Sequence, residues 1–421
     1  MRAAMISVHT NPLEQPGTGD AGGMNVYVRE LATALTHVGW EVDIYTRTTS
    51  SEQPSVTQPA PGVKVISVES GPFEGLRKEE LPGQLCGFIA EVLRHGAALP
   101  RGYYDVLHTH YWLSGQVGWL AAERWGIPLI HTMHTMARVK NASLAPGDAP
   151  EPLGRILGEE QVVAEANALI ASTGDEARAL IRDYHADPGR IHTIPPGVDL
   201  DVFRPGGSGF IYRDDGAADA DPFADAFPRV SAASDPSMHL VVFAGRVQLL
   251  KGPDTLIRAL AHLPSNIHVV VLGGASGRPT AVRELHALAH LQGVADRVHI
   301  HPPVPAAQLA AWFRRADVVA VPSHSESFGL VAAEAQACGT PVVATAVGGL
   351  ASIVVDGVTG RLVAGHDENA WADALNSILS DATTRERYAQ GAAEARMRFG
   401  WDATAAATAE VYRELLAAGA A

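Results

Sequence analysis

Short apolar runs alternate with longer stretches of helical periodicity along most of the chain. In the first half the runs fall at 3–8, 42–46, 64–68, 106–109, 129–131, 169–172 and 191–194; in the second half they fall at 240–244, 268–272, 298–301, 318–321 and 342–344. Most of their residues are apolar rather than alternating with polar ones, the pattern of strands covered on both faces of a parallel sheet. Between them, apolar positions recur three and four residues apart, which predicts helices and hence βαβ units. The alternation stops at 194–205, where Pro195, Pro196, Gly197 and Pro205 are turn residues, and restarts near 240. The fold class expected is therefore α/β, with two Rossmann-like domains whose parallel sheets face each other across a cleft. Residues 1–200 form the first unit, 201–237 a hinge with an acidic flexible insertion, and 238–400 the second unit; 401–421 is an Ala-rich helix.

A chain of 421 residues exceeds the usual size of one hydrophobic core, in keeping with two units. No apolar run approaches the ~20 residues that span a bilayer, and no signal-type apolar segment opens the chain, so no membrane insertion and a cytoplasmic location are expected. The net charge of −14 argues against a nucleic-acid surface, which demands clustered Lys and Arg. Much of the acidity lies in Asp214, Asp215, Asp219, Asp221, Asp225 and Asp235, within a Gly, Ala and Ser-rich stretch too polar to bury itself. The two cysteines, Cys86 and Cys338, sit in apolar helical contexts and are expected to be small buried residues.

Chemistry concentrates at strand ends. After the run 318–321, the segment Ser323-His324-Ser325-Glu326-Ser327-Phe328-Gly329-Leu330-Val331-Ala332-Ala333-Glu334 places one carboxylate in a turn and another on the second turn of a helix. Free amides around Gly329, Leu330 and Val331 suit an anion, and Glu326 and Glu334 suit sugar or ribose hydroxyls. After the run 240–244, Gly245-Arg246-Val247-Gln248-Leu249-Leu250-Lys251-Gly252 offers a guanidinium fork and a mobile ammonium, together suited to a diphosphate. A third loop, from His9 through Gln15-Pro16-Gly17 to Asp20-Ala21-Gly22-Gly23-Met24-Asn25, allows close backbone approach at the start of a helix but lacks the GxGxxG dinucleotide fingerprint. His108, His110, His131 and His134 divide between two strand ends with no Cys or paired carboxylate to complete a zinc site.

Arg246, Lys251, Glu326, Glu334 and the glycine loop together resemble the retaining glycosyltransferases of family 4, which have the two-domain GT-B fold. The resemblance implies that the last helix crosses back to the first domain. It is strongest to the branch of the family that passes N-acetylglucosamine from UDP to an inositol 3-phosphate, the first step of mycothiol biosynthesis. That likeness covers nearly the whole chain and rests on His9, Gln15-Pro16, Asp20 to Asn25, 74–82, 108–115 and 131–135. It implies donor contacts from Gln15, Pro16, Gly23, Arg246, Lys251, Val304, Glu326, Gly329, Leu330, Val331 and Glu334, with the Val304 backbone meeting uracil. Lys78, Tyr111, Thr135 and Arg155 would bind the acceptor phosphate, and His9, Asp20, Ala21, Gly22, Gly23, Met24 and Asn25 would lie against the inositol ring.

Catalysis would then fall to Arg246, Lys251, Glu326 and His134. In this reading Glu326 positions the donor sugar and His134 stabilises it. No catalytic metal is required, while a structural Mg²⁺ is implied beside Phe313, Arg314, Ala316 and Thr340. The partners are UDP-GlcNAc and an inositol phosphate, and a homodimer is allowed. Ordinary roles stand beside these: Lys78 lies in a charged run, Tyr111 adjoins Trp112, and Arg155 can pair with Glu159 four residues on. Another family 4 transferase and a catalytically silent sugar-nucleotide binder are the rival functions. Ala21 departs from the serine more usual before Gly22-Gly23.

Overall fold

The computed structural model describes residues 1–17, 19–206 and 238–419, so the acidic stretch read at 206–237 lies almost wholly outside the described residues. The first sheet takes β1 (Arg2–Ser7), β2 (Glu41–Arg47), β3 (Val56–Ala60), β4 (Val63–Val68), β5 (Val106–His110), β6 (Leu129–Thr132), β7 (Ala168–Ala171) and β8 (Ile191–Thr193) in the order β3-β4-β2-β1-β5-β6-β7-β8. All its pairings are parallel except β3 with β4. The second sheet takes β9 (His239–Ala244), β10 (Ile267–Leu272), β11 (Val298–His301), β12 (Val318–Val321), β13 (Val342–Thr345) and β14 (Gly360–Val363) in the order β11-β10-β9-β12-β13-β14, wholly parallel. Helices cover both faces, as parallel strands with apolar residues on either side require.

Two strands escaped the sequence reading. β3 contains Pro59 and is largely exposed, an edge strand with little apolar signal. β14 begins at Gly360, whose φ of 159° and close approach to Val342 leave no room for a side chain.

In each sheet the strand order reverses beside the first strand, at β1/β5 and at β9/β12. Ligands of open α/β sheets bind in the crevice outside these points. The segments leaving them are the loop from His9 to Gly22, the turn at Tyr111, the turn from Gly245 to Gly252 and the turn from Pro322 to Gly329. All four open on one cleft.

The last helix, Trp401–Gly419, crosses back and packs on the first helix, Gly23–His37. Trp401 meets Tyr27 at 5.6 Å and Tyr412 meets Trp40 at 5.0 Å, both edge-on. Where the chain passes between the units, Val198 N donates to Phe399 O at 2.5 Å, so the outgoing and returning segments run side by side. No helix of the described residues is long and apolar enough to cross a membrane.

Candidate active site

A cavity of about 490 Å³ lies between the two sheets. From the second unit it is lined by Arg246, Lys251, Val304, Glu326, Gly329, Leu330, Val331 and Glu334. Lys251 Nζ sits 2.5 Å from Glu326 Oε2, which also accepts from Ser323 Oγ at 3.2 Å. Glu326 O accepts from Gly349 N at 2.9 Å, and a Cβ on Gly348 would come within 2.1 Å of that oxygen, so glycine is needed to hold the carboxylate's turn. The first bond of helix Leu330–Ala337 runs from Ala333 N to Gly329 O, which leaves the amides of Leu330 and Val331 without intrahelical partners at the cavity wall. Glu334 is buried, and burial, with Glu30 opposite adding to it, pushes its carboxyl up to about 8. Burial also lowers the Arg246 guanidinium, opposed by Asp20 and Glu326.

From the first unit come His9, Gln15, Pro16, Asp20, Gly22, Gly23, Met24, Lys78, Tyr111, His134 and Thr135. Tyr111 is a hub with its backbone at a φ of 72°: Lys78 Nζ and Arg155 Cζ each lie 4.9 Å from its ring centre, and the His9 ring lies at 4.2 Å. Arg155 is 4% exposed and sits beneath the cavity wall. It donates to Glu159 Oε1 at 2.7 Å and Thr135 Oγ1 at 3.0 Å, and its Nη1 lies 3.0 Å from Glu151. The ordinary pairing with Glu159 and the position beside Thr135 therefore both hold.

Asn25 and Ala21, like Arg155, do not line the cavity, and Val304 lines it with its carbonyl already engaged. Asn25 spends its amide on Asn11 O, at 2.5 Å, and on Gly22 N, at 3.0 Å, holding the loop in shape. Gly22 N is thereby used, leaving the Gly23 amide as the remaining donor of that pair. Ala21 is buried off the cavity, its carbonyl accepting from Gly17 N at 3.0 Å. Val304 O does face the cavity but already accepts from Gln15 Nε2 of the opposite unit at 2.9 Å. Outside the site, Cys338 is buried as expected, whereas Cys86 is exposed, because its helix buries Phe88 and Val92 on the other face. Phe313, Arg314, Ala316 and Thr340 meet at the end of helix Ala306–Arg315, where Phe313 O accepts from Thr340 Oγ1 at 2.6 Å and from Ala316 N at 3.1 Å.

Residues 22–197 match the family description "Glycosyl transferase 4-like domain", and 228–395 match "Glycosyl transferases group 1". The D-inositol 3-phosphate glycosyltransferase of Xylanimonas cellulosilytica is 62% identical over 98% of this chain and 96% of its own. That of Actinosynnema mirum is 56% identical over 96% and 94%. The chain belongs to glycosyltransferase family 4. Among solved structures, the sucrose-phosphate synthase of Thermosynechococcus elongatus superposes with a TM-score of 0.87 at 33% identity over 99% of both chains. The Anabaena protein HepE, solved with UDP and glucose, gives 0.74 at 20% identity, over 98% of this chain and all of its own.

For a family 4 glycosyltransferase the cavity also holds residues that the sequence reading passed over. Tyr27 is buried with its ring centre 4.8 Å from that of His134, edge-on, and Glu30 lines the cavity three residues further along the same helix. A helix start at Gly23 puts the two on one face, the signal that could have found them. Ser327 lies between the two family 4 carboxylates and donates across the cleft to His134 O. His134 itself stands at a φ of 60°, a conformation few non-glycine residues adopt.

Proposed function

We propose that this glycosyltransferase moves N-acetylglucosamine from UDP-GlcNAc to 1D-myo-inositol 3-phosphate with retention, the first step of mycothiol biosynthesis. The observation that carries the reading is the cleft's two separate cationic ends. Arg246 and Lys251 stand at the end of the second sheet and Lys78 and Arg155 around Tyr111 at the end of the first. A nucleotide diphosphate fits one end, and a compact phosphorylated acceptor is the ligand that answers the other. The names of the relatives agree with such an acceptor.

Bond breaking at the anomeric carbon builds negative charge on the β-phosphate. In this reading Arg246, Lys251 and the amides of Leu330 and Val331 stabilise that charge. Lys251 must leave Glu326 to do so, which frees the carboxylate for the donor sugar's hydroxyls. In this reading Glu334, which lines the cavity, holds the ribose, and His134, which also lines it, meets the reacting sugar. The departing phosphate takes the acceptor's proton on the same face. A structural Mg²⁺ would find neutral oxygen donors of the kind it accepts at Phe313 and Thr340, once their mutual hydrogen bond opened. No step of the reaction runs through it.

The test is to incubate the purified protein with UDP-GlcNAc and inositol 3-phosphate and follow UDP release. Turnover that needs both substrates is expected. Turnover only with a different acceptor, or only with a different nucleotide sugar, would refute the assignment.

A further inference from the structure

The reaction uses His134 and leaves unexplained why other buried imidazoles crowd behind it. His110, at the end of β5, is fully buried, and its Nδ1 lies 3.0 Å from His134 Nε2. Its other nitrogen, Nε2, is buried with no hydrogen-bond partner among the described residues. The His108 ring lies 4.3 Å from that of His110, tilted to it, and is pinned by Tyr412 Oη at 2.7 Å and Thr132 Oγ1 at 2.8 Å. Tyr27 closes the side, its ring 5.7 Å from His110 and 4.8 Å from His134. These contacts leave His110 and His134 little freedom to turn. Burial lowers the pKa of both imidazoles, that of His134 to about 3, so each is neutral and carries one N–H.

We infer that His110 is a positioning residue that donates its Nδ1 proton to His134 Nε2 and so fixes His134 in the tautomer that presents Nδ1–H to the donor sugar. The opposite arrangement, with His134 Nε2–H donating to His110, forces the His110 proton onto Nε2, where the N–H would be buried without an acceptor. A bare lone pair there is the lesser penalty. With Nε2 of His134 tied to His110, Nδ1 is the nitrogen left for a ligand, and it can donate a hydrogen bond to a sugar oxygen. The inference rests on the proposed function in one respect, that His134 meets the donor sugar.

Long-range ¹H–¹⁵N spectra of protein labelled at histidine test it, with His134 assigned by its loss in His134→Asn. The expected wild-type reading is Nδ1 protonated and Nε2 bare. In His110→Leu the His134 proton should shift to Nε2 or divide between the two nitrogens. The same variant should lose about tenfold or more in kcat, with donor KM within about twofold. In His110→Asn, whose amide places an N–H near the Nδ1 position, kcat should return to within about threefold of wild type. An Nε2–H tautomer of His134 in the wild type, or an unchanged kcat in His110→Leu, would overturn the assignment. Wild-type kcat in His134→Ala would instead remove the role given to His134 in the reaction, and the spectrum would still decide the tautomer.

Discussion

Lys78 and Arg155 direct the same charge at the same ring, but the surroundings of each predict different consequences when it is removed. A third of the Lys78 side chain is exposed, and its carboxylate neighbour, Asp20, is as far as 4.0 Å away. Lys78→Ala should raise acceptor KM by about 10- to 100-fold, with the melting temperature and donor KM unchanged; steady-state kinetics and thermal denaturation check this. Arg155→Ala should also weaken the acceptor, but it strips the fully buried Glu159 of its cation and should cost about 3 kcal/mol of stability, seen as a lower midpoint in urea. The i, i+4 spacing made the Arg155–Glu159 pair legible from sequence. That Glu151 also engages Arg155 was not, since a loop sets it. The loop-holding bonds of Asn25 were hidden for a related reason: a buried amide beside a ligand loop looks the same in sequence whether it touches the ligand or folds the loop.

Burial raises Glu334 to about 8 and Glu176 to about 7, against an ordinary value of 4.5. The native protein thus holds protons that the unfolded chain releases, and stability should fall as pH rises from about 4.5 toward 8. The melting temperature of Glu334→Gln should decline less than that of wild type over this range.

Among the elements, the parallel strands with mostly apolar runs were legible, the edge strands β8 and β11 included, and the edges β3 and β14 were not. β3 pairs antiparallel on one side only, and β14 starts at a glycine chosen by contact with Val342. The turns that carry the site were legible as turns, but their glycines act at a distance that sequence does not show. The Gly348 turn presses on the Glu326 carbonyl, and a Cβ on Gly23 would lie 3.2 Å from Leu330 of the opposite unit. Gly348→Ala, at a φ of 47°, should displace the Glu326 turn and lower kcat/KM for the donor by about tenfold or more. Gly23→Val should act across the cleft, reducing turnover while leaving the melting temperature near that of wild type. A matching loss of stability in Gly23→Val would show that the contact with Leu330 is not what matters.

At the scale of the whole molecule, the last helix completes the core of a unit to which the chain order does not assign it. Tyr412 and Trp401 cover Trp40, Tyr27 and the helix Gly23–His37. Ending the chain at Gly400 should uncover that apolar face, giving strong binding of a hydrophobic dye and loss of a sharp thermal transition. Synthesis runs from the amino terminus, and domains generally fold as they emerge. Here the first sheet leaves the ribosome early, yet Trp40 and Tyr27 lack their cover until 401–419 follow, after the entire second sheet. The unit made first is therefore the one finished last, and in the interval its bare face is a surface for chaperones to shield.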